Sequence, residues 1–157
     1  MTPAGAFPNF PVFSYLRVMK EVAVGILRED GHVLACQRKR TAVYPLKWEF
    51  PGGKIEPGET PADALRRELR EELGIEAVPG RELHRQEWVY PDGVADPARD
   101  GSFRVFYFLV EHFQGTPVNH AFEQIRWVTG SGLSTLDMLQ GNREAIEILL
   151  RDETIRP

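Results

Sequence analysis

Apolar and polar positions alternate soon after the start of the chain, with Val22, Val24 and Ile26 on one side of an extended segment that opens near Val18. Glu29-Asp30-Gly31 predicts a hairpin turn into Val33-Leu34-Ala35-Cys36. Trp48-Glu49-Phe50 is a further short extended piece, halted by Pro51-Gly52-Gly53. The period then changes. Over residues 61–73, Leu65, Leu69 and Leu73 recur at helical spacing and define a core-facing stripe. Thr60 is placed to cap that helix, Pro61 suits its first position, and Asp63 follows the cap as in a capping box. Gly74 supplies the stop. Residues 82–90 and 102–113 predict strands, the second rich in aromatic side chains, and Ile125-Arg126-Trp127-Val128 predicts another. Residues 143–152 close the chain as a helix with Ala145, Ile146, Leu149 and Leu150 apolar. Strand runs around two unlike helices point to an α+β fold or an α/β/α sandwich over a mixed sheet.

The first sixteen residues break these patterns. Pro3, Pro8 and Pro11 interleave with Phe7, Phe10, Phe13 and Tyr15, and prolines this dense disfavour both helix and central strand. Residues 1–16 therefore read as an arm, either loosely ordered or strapped by its aromatics over a groove or a partner subunit. Residues 17–157 read as one domain, without repeats or a low-complexity linker. Net charge is −4, so no global basic field draws nucleic acid or an anionic membrane, and an anionic small molecule needs a local cation or arginines. Cys36 is the only cysteine, which excludes an internal disulfide and a four-cysteine zinc site. No apolar run is long enough for a transmembrane helix, and the N-terminus lacks the pattern of a signal peptide. The expectation is a cytoplasmic monomer or homodimer.

The chemistry concentrates between Gly52 and Ile75. At about 100° per residue, Glu68, Glu71 and Glu72 fall beside the leucine stripe on one face of the predicted helix. Like charges about 6 Å apart repel by roughly 2–3 kcal/mol at an effective dielectric near 20, unless solvent or a cation compensates. Pro51-Gly52-Gly53 lets the backbone approach closely and can direct a carbonyl oxygen toward the same face. Carboxylates plus a carbonyl form a hard oxygen shell suited to Mg²⁺ or Mn²⁺ rather than zinc. Arg67 can pair with Glu59 or Glu72 and fix their orientation.

Gly53, five residues, Glu59, seven residues, Arg67-Glu68-Leu69, one residue, Glu71-Glu72, one residue and Gly74-Ile75 fill every fixed position of a pattern that resembles the Nudix box. Chance alone would produce it about once in a billion start sites. Trp48-Glu49-Phe50-Pro51-Gly52-Gly53-Lys54 is similar to the MutT-type branch of that family. The resemblance implies an α/β/α sandwich and metal-assisted attack of water on a nucleotide diphosphate linkage. It implies Glu71, Glu72 and the Gly52 carbonyl as metal ligands, and Glu68 as a ligand or as the acceptor of the water's proton. Arg67 and Glu59 become an orienting pair. It also implies one further acid from a loop before the late strand, where Glu123 is the first candidate and His120 the second.

Three features turn the resemblance toward hydrolysis of a nucleoside triphosphate, including dGTP or 8-oxo-dGTP, to monophosphate and pyrophosphate. They are the Trp48–Lys54 stretch with Phe50, Arg38 near the nucleotide, and Asn142 as a reader of a purine edge. Asn142 is equally well placed to cap the final helix, and Arg38 to be a surface residue. The connection after Tyr90, with Pro91 and Arg99, is longer than in the smallest MutT-type enzymes, and either Arg99 or Arg104 stands where a base-reading arginine is expected. A nucleotide-sugar or ADP-ribose pyrophosphatase is the alternative enzyme. A catalytically silent binding module is the alternative of another class, disfavoured by the full set of box glutamates.

Overall fold

The first extended segment becomes β1 (Lys20–Glu29), and its central residues are buried on both sides, which places it inside a sheet. The computed structural model describes residues 19–90 and 102–152. The arm at 1–16 and the connection carrying Pro91 and Arg99 lie outside the described residues. Asp30 and Gly31 take left-handed backbone angles (φ 50° and 74°), the geometry of a tight hairpin, and return the chain into β2 (His32–Gln37). Next come β3 (Trp48–Glu49) and β4 (Gly52–Lys54).

The helix α1 spans Pro61–Leu73, the boundaries its capping residues predict. The Thr60 hydroxyl accepts from the Asp63 N–H at 3.1 Å, and Gly74 ends the helix in the left-handed conformation (φ 66°). The remaining elements are β5 (Glu76–Val78), β6 (Glu82–Val89), β7 (Ser102–Val110), β8 (His112–Gln114), β9 (Gln124–Val128), α2 (Gly130–Leu133), a 3₁₀ turn at Gln140–Asn142, and α3 (Arg143–Arg151).

The main sheet runs β3-β2-β1-β7-β6, with β4 also paired to β1 and β9 to β2. β1 and β7 pair in parallel from Lys20–Phe103 to Leu27–Val110, while the other pairings of this sheet are antiparallel, so the sheet is mixed as expected. The expected strand over 102–113 divides at Glu111. β7 ends at Val110, and β8 leaves the main sheet to pair with β5.

Two cores follow from the period-two alternation of the central strands. Ala23, Leu27, Phe106, Phe108 and Val110 meet Leu65, Leu69 and Leu73 of α1 on one face. Val24, Ile26, Tyr107 and Leu109 meet Leu133, Ala145 and Leu149 of α2 and α3 on the other. Among the described residues no helix is long and apolar enough to cross a membrane.

Candidate active site

The site begins with two glycines that no other residue can replace. β4 lies so close to β1 that a Cβ on Gly52 would sit 2.1 Å from the Ala23 carbonyl oxygen, and Gly52 also needs a φ of +150°. A Cβ on Gly53 would lie 2.3 Å from the Glu68 carboxyl carbon. The missing side chains therefore let β4 pack on β1 and leave room for the Glu68 carboxylate between β4 and α1.

Arg67 organises the acids around it. Its Nε and Nη2 donate to the two Glu59 oxygens at 2.7 and 3.0 Å, a bidentate pair, and its Nη1 donates to Glu68 Oε1 at 2.8 Å. Nη2 also donates to the Lys54 carbonyl at 3.0 Å, which ties α1 to β4. Glu71 Oε1 stands 3.6 Å from the same guanidinium but is 60% exposed, against 16% for Glu68. The Arg67 contact with Glu59 holds that carboxyl down to about 2. Of the two expected Arg67 partners, Glu59 is the one found. Glu72 is not a partner because its side chain turns the other way, toward β4, and accepts from the Gly52 N–H at 3.0 Å.

Glu72 is the group left without a compensating charge. Burial pushes its carboxyl up to about 8, the charges of Glu68, Glu49 and Glu71 push in the same direction, and only the Gly52 N–H opposes them. Glu49 is also raised by burial, offset by Arg38, whose Nη1 donates to Glu49 Oε2 at 2.8 Å. Burial first, then the charges of Glu72 and Glu49, drive the Cys36 thiol far above its usual range, which makes it an inert core residue. Among the described residues no three carboxylate, imidazole or thiolate groups close into a complete metal shell. The three glutamates share a face as expected, yet the Arg67 guanidinium stands between Glu68 and Glu71.

Glu72 opens onto a cavity of about 440 Å³. At one end lie Glu72, Gly52, Gly53 and Lys54, and beside them Glu49 and Arg38. Phe50 is buried in its wall, and Asn142 and an aromatic cluster form the far end. Asn142 precedes α3 but makes no capping hydrogen bond with its side chain. It is buried, and its Oδ1 accepts from the Tyr107 hydroxyl at 3.0 Å. Alongside, Gln86 donates to the Gly141 carbonyl, so β6, β7 and the turn before α3 are joined at this end. Gln86, Trp88 and Tyr90 on one strand, and Phe103, Val105 and Tyr107 on the next, all face the cavity. Period-two alternation in β6 and β7 was the available signal for them, and Tyr44, from the connection between β2 and β3, had none.

Other expected residues stand apart. Arg104 projects from the opposite face of β7 and pairs with Glu21 and Glu87, each at 3.0 Å, so it cannot serve as a base-reading arginine. Glu123 is exposed at the start of β9, where its N–H donates to the Gln37 carbonyl; it does not line the cavity. The His120 ring packs near Gly74 at the end of α1, and its N–H donates to the Glu72 carbonyl.

A family model described as NUDIX domain matches residues 19–148. The chain belongs to the NUDIX family. This NUDIX chain is 34% identical over 133 residues to the 8-oxo-dGTP diphosphatase of Haemophilus influenzae, covering 84% of this chain and 92% of the relative. It is 38% identical over 112 residues to the CTP pyrophosphohydrolase of Escherichia coli, covering 69% and 75%. The solution structure of the Escherichia coli ORF135 protein superposes with a TM-score of 0.74 at 29% identity, covering 88% of this chain and 94% of that one. The MutT NUDIX hydrolase of Burkholderia pseudomallei, 24% identical with a TM-score of 0.71 over 83% and 97% of the two chains, shares the fold. The protein is thus a NUDIX pyrophosphohydrolase, and this family generally needs a divalent metal ion. The residues fit such an ion. The donors are all oxygens, and the buried Glu72 carboxylate, surrounded by like charges, is stabilised by a cation and by nothing else nearby.

Proposed function

We propose that the protein hydrolyses nucleoside triphosphates, dGTP and 8-oxo-dGTP among them, to the monophosphate and pyrophosphate. The observation that carries this reading is one continuous cavity that joins Glu72 and Lys54 to Asn142 and an aromatic wall. An anionic chain seated at the acid end needs a cation to bridge it to Glu72, and that seating directs the nucleoside toward Asn142. The relatives named for 8-oxo-dGTP and CTP support a triphosphate rather than a sugar nucleotide.

Gly52 through its carbonyl, Glu68, Glu71 and Glu72 would hold Mg²⁺ or Mn²⁺. When bound, the ion neutralises phosphate oxygens and lowers the pKa of the attacking water. The water oxygen forms a bond to phosphorus as the bridging P–O bond breaks, and pyrophosphate leaves. Glu68 accepts the water's proton, and Arg67, anchored on Glu59 and the Lys54 carbonyl, holds Glu68 in place. Lys54 faces the phosphate chain. Phe50 forms the apolar wall, Asn142 meets the base edge, and Arg38 fixes Glu49 between the two ends. Glu123 makes no contact with these groups and takes no part in the step.

A phosphate-release panel of dGTP, 8-oxo-dGTP, CTP and ADP-ribose, with Mg²⁺ or with excess chelator, tests the reading. Triphosphates are expected to turn over faster than ADP-ribose, and only with metal. Preference for ADP-ribose, or turnover that persists in chelator, overturns it.

A further inference from the structure

The connection from Arg38 to Lys47 carries two non-glycine residues in the left-handed conformation, Tyr44 at φ 53° and Leu46 at φ 61°. Bulky residues resist that backbone, which persists only where its surroundings hold it. Here the Arg38 Nε donates to the Val43 carbonyl at 2.7 Å, the Leu46 N–H donates to the Arg38 carbonyl at 3.2 Å, and the Arg38 N–H donates to the Lys47 carbonyl at 2.8 Å. Arg38 therefore pins the chain on both sides of Tyr44.

The pinned ring does not serve the core. Tyr44 belongs to neither buried cluster and is half-buried at the cavity wall. Its ring lies 5.0 Å from that of Tyr90 with 34° between the planes, and Tyr90 meets Trp88 and Phe103 edge-on, each at 5.9 Å. Gly141 closes the wall from behind, where a Cβ would lie 2.8 Å from the Tyr90 hydroxyl. A strained backbone thus delivers an aromatic face to the end of the cavity opposite Glu72.

We infer that Tyr44 is a specificity-determining residue whose ring stacks on the nucleobase, so that affinity comes from the face of the base and only Asn142 reads its edge. This inference rests on the triphosphate reading above. Every base has a π-face, so stacking tolerates purines and pyrimidines alike. Broad acceptance of bases follows.

Tyr44→Gly and Tyr44→Phe in the full chain, with steady-state kinetics on dGTP, dATP, dCTP and dTTP, test it. Glycine suits the left-handed backbone, so Tyr44→Gly is expected to keep the wild-type Tm or exceed it. Its KM rises about tenfold for all four substrates while kcat changes much less. Tyr44→Phe, which keeps the ring, stays near wild type. Inhibition by inorganic triphosphate, which has no base, is the same in all three proteins. An unchanged KM in Tyr44→Gly overturns the inference, with or without a fall in Tm, and so does a weakened grip on inorganic triphosphate. A KM rise confined to one base overturns the claim that the face is read. A wild-type protein that turns over none of these triphosphates overturns the proposed function instead.

Discussion

The two ends of the cavity are built by opposite means. At the acid end the backbone crowds in, glycines at 52 and 53 make the room, and Arg67 ties Glu59, Glu68 and the Lys54 carbonyl together within 3.0 Å. At the nucleoside end large rings supply the surface, and directional contacts are few: the Tyr107 hydroxyl to Asn142, and Gln86 to the Gly141 carbonyl. The difference separates chemistry from recognition. One end fixes reacting groups tightly, where small displacements are costly in rate, and the other offers area that tolerates variation in the bound group.

That contrast can be broken at either end. The largest effect is expected from Glu72→Gln, which removes the charge of the buried carboxylate. On any substrate that is turned over, kcat should fall by about a thousandfold, and a loss of only a few-fold would show that the acid end is not the reacting end. Asn142→Ala should act differently. It is expected to raise KM by about tenfold for guanine nucleotides with little change in kcat, because a buried polar contact is lost only at the base. A matching fall in kcat would mean that the two ends are not independent.

The smallest effect is on stability. In excess chelator, the folded-state pKa of Glu72, about 8, lies above its ordinary value of 4.5. Between those values the folded protein binds more protons than the unfolded chain, so stability falls as pH rises from about 4.5 to about 8. Ionising Glu72 costs on the order of 4 kcal/mol by pH 8. Wild-type Tm should therefore drop by roughly 5 °C or more between pH 5.5 and 8, and Glu72→Gln should remove most of that slope. Equal slopes in the two proteins would contradict the burial assigned to Glu72.

The acid end was largely legible in the sequence, and for a local reason. Thr60, Pro61, Asp63 and Gly74 set the limits of α1 through contacts a few residues apart, and helical spacing alone puts Glu68, Glu71 and Glu72 on one face. The Glu72 turn toward Gly52 was not legible, since it depends on β4 pairing with β1 across the chain. For the same reason Gly52–Lys54 looked like a loop and is a strand. The nucleoside end was legible only in fragments. Asn142 satisfied a local capping rule that the structure does not use, because Tyr107, 35 residues earlier, captures its side chain. Tyr44, Trp88 and Tyr90 meet only through tertiary folding, and Glu111 ends β7 where the apolar pattern alone suggested continuation.

The parallel neighbours β1 and β7 have a consequence for how the molecule is made. Partners across that seam, such as Glu21 and Arg104, are 83 residues apart. A growing polypeptide must therefore leave the ribosome almost to its end before the central seam can zip. Until then the first hairpin and the acidic helix wait without their apolar backing, and such distant pairing slows folding. Nucleotide binding should emerge late and all at once during synthesis.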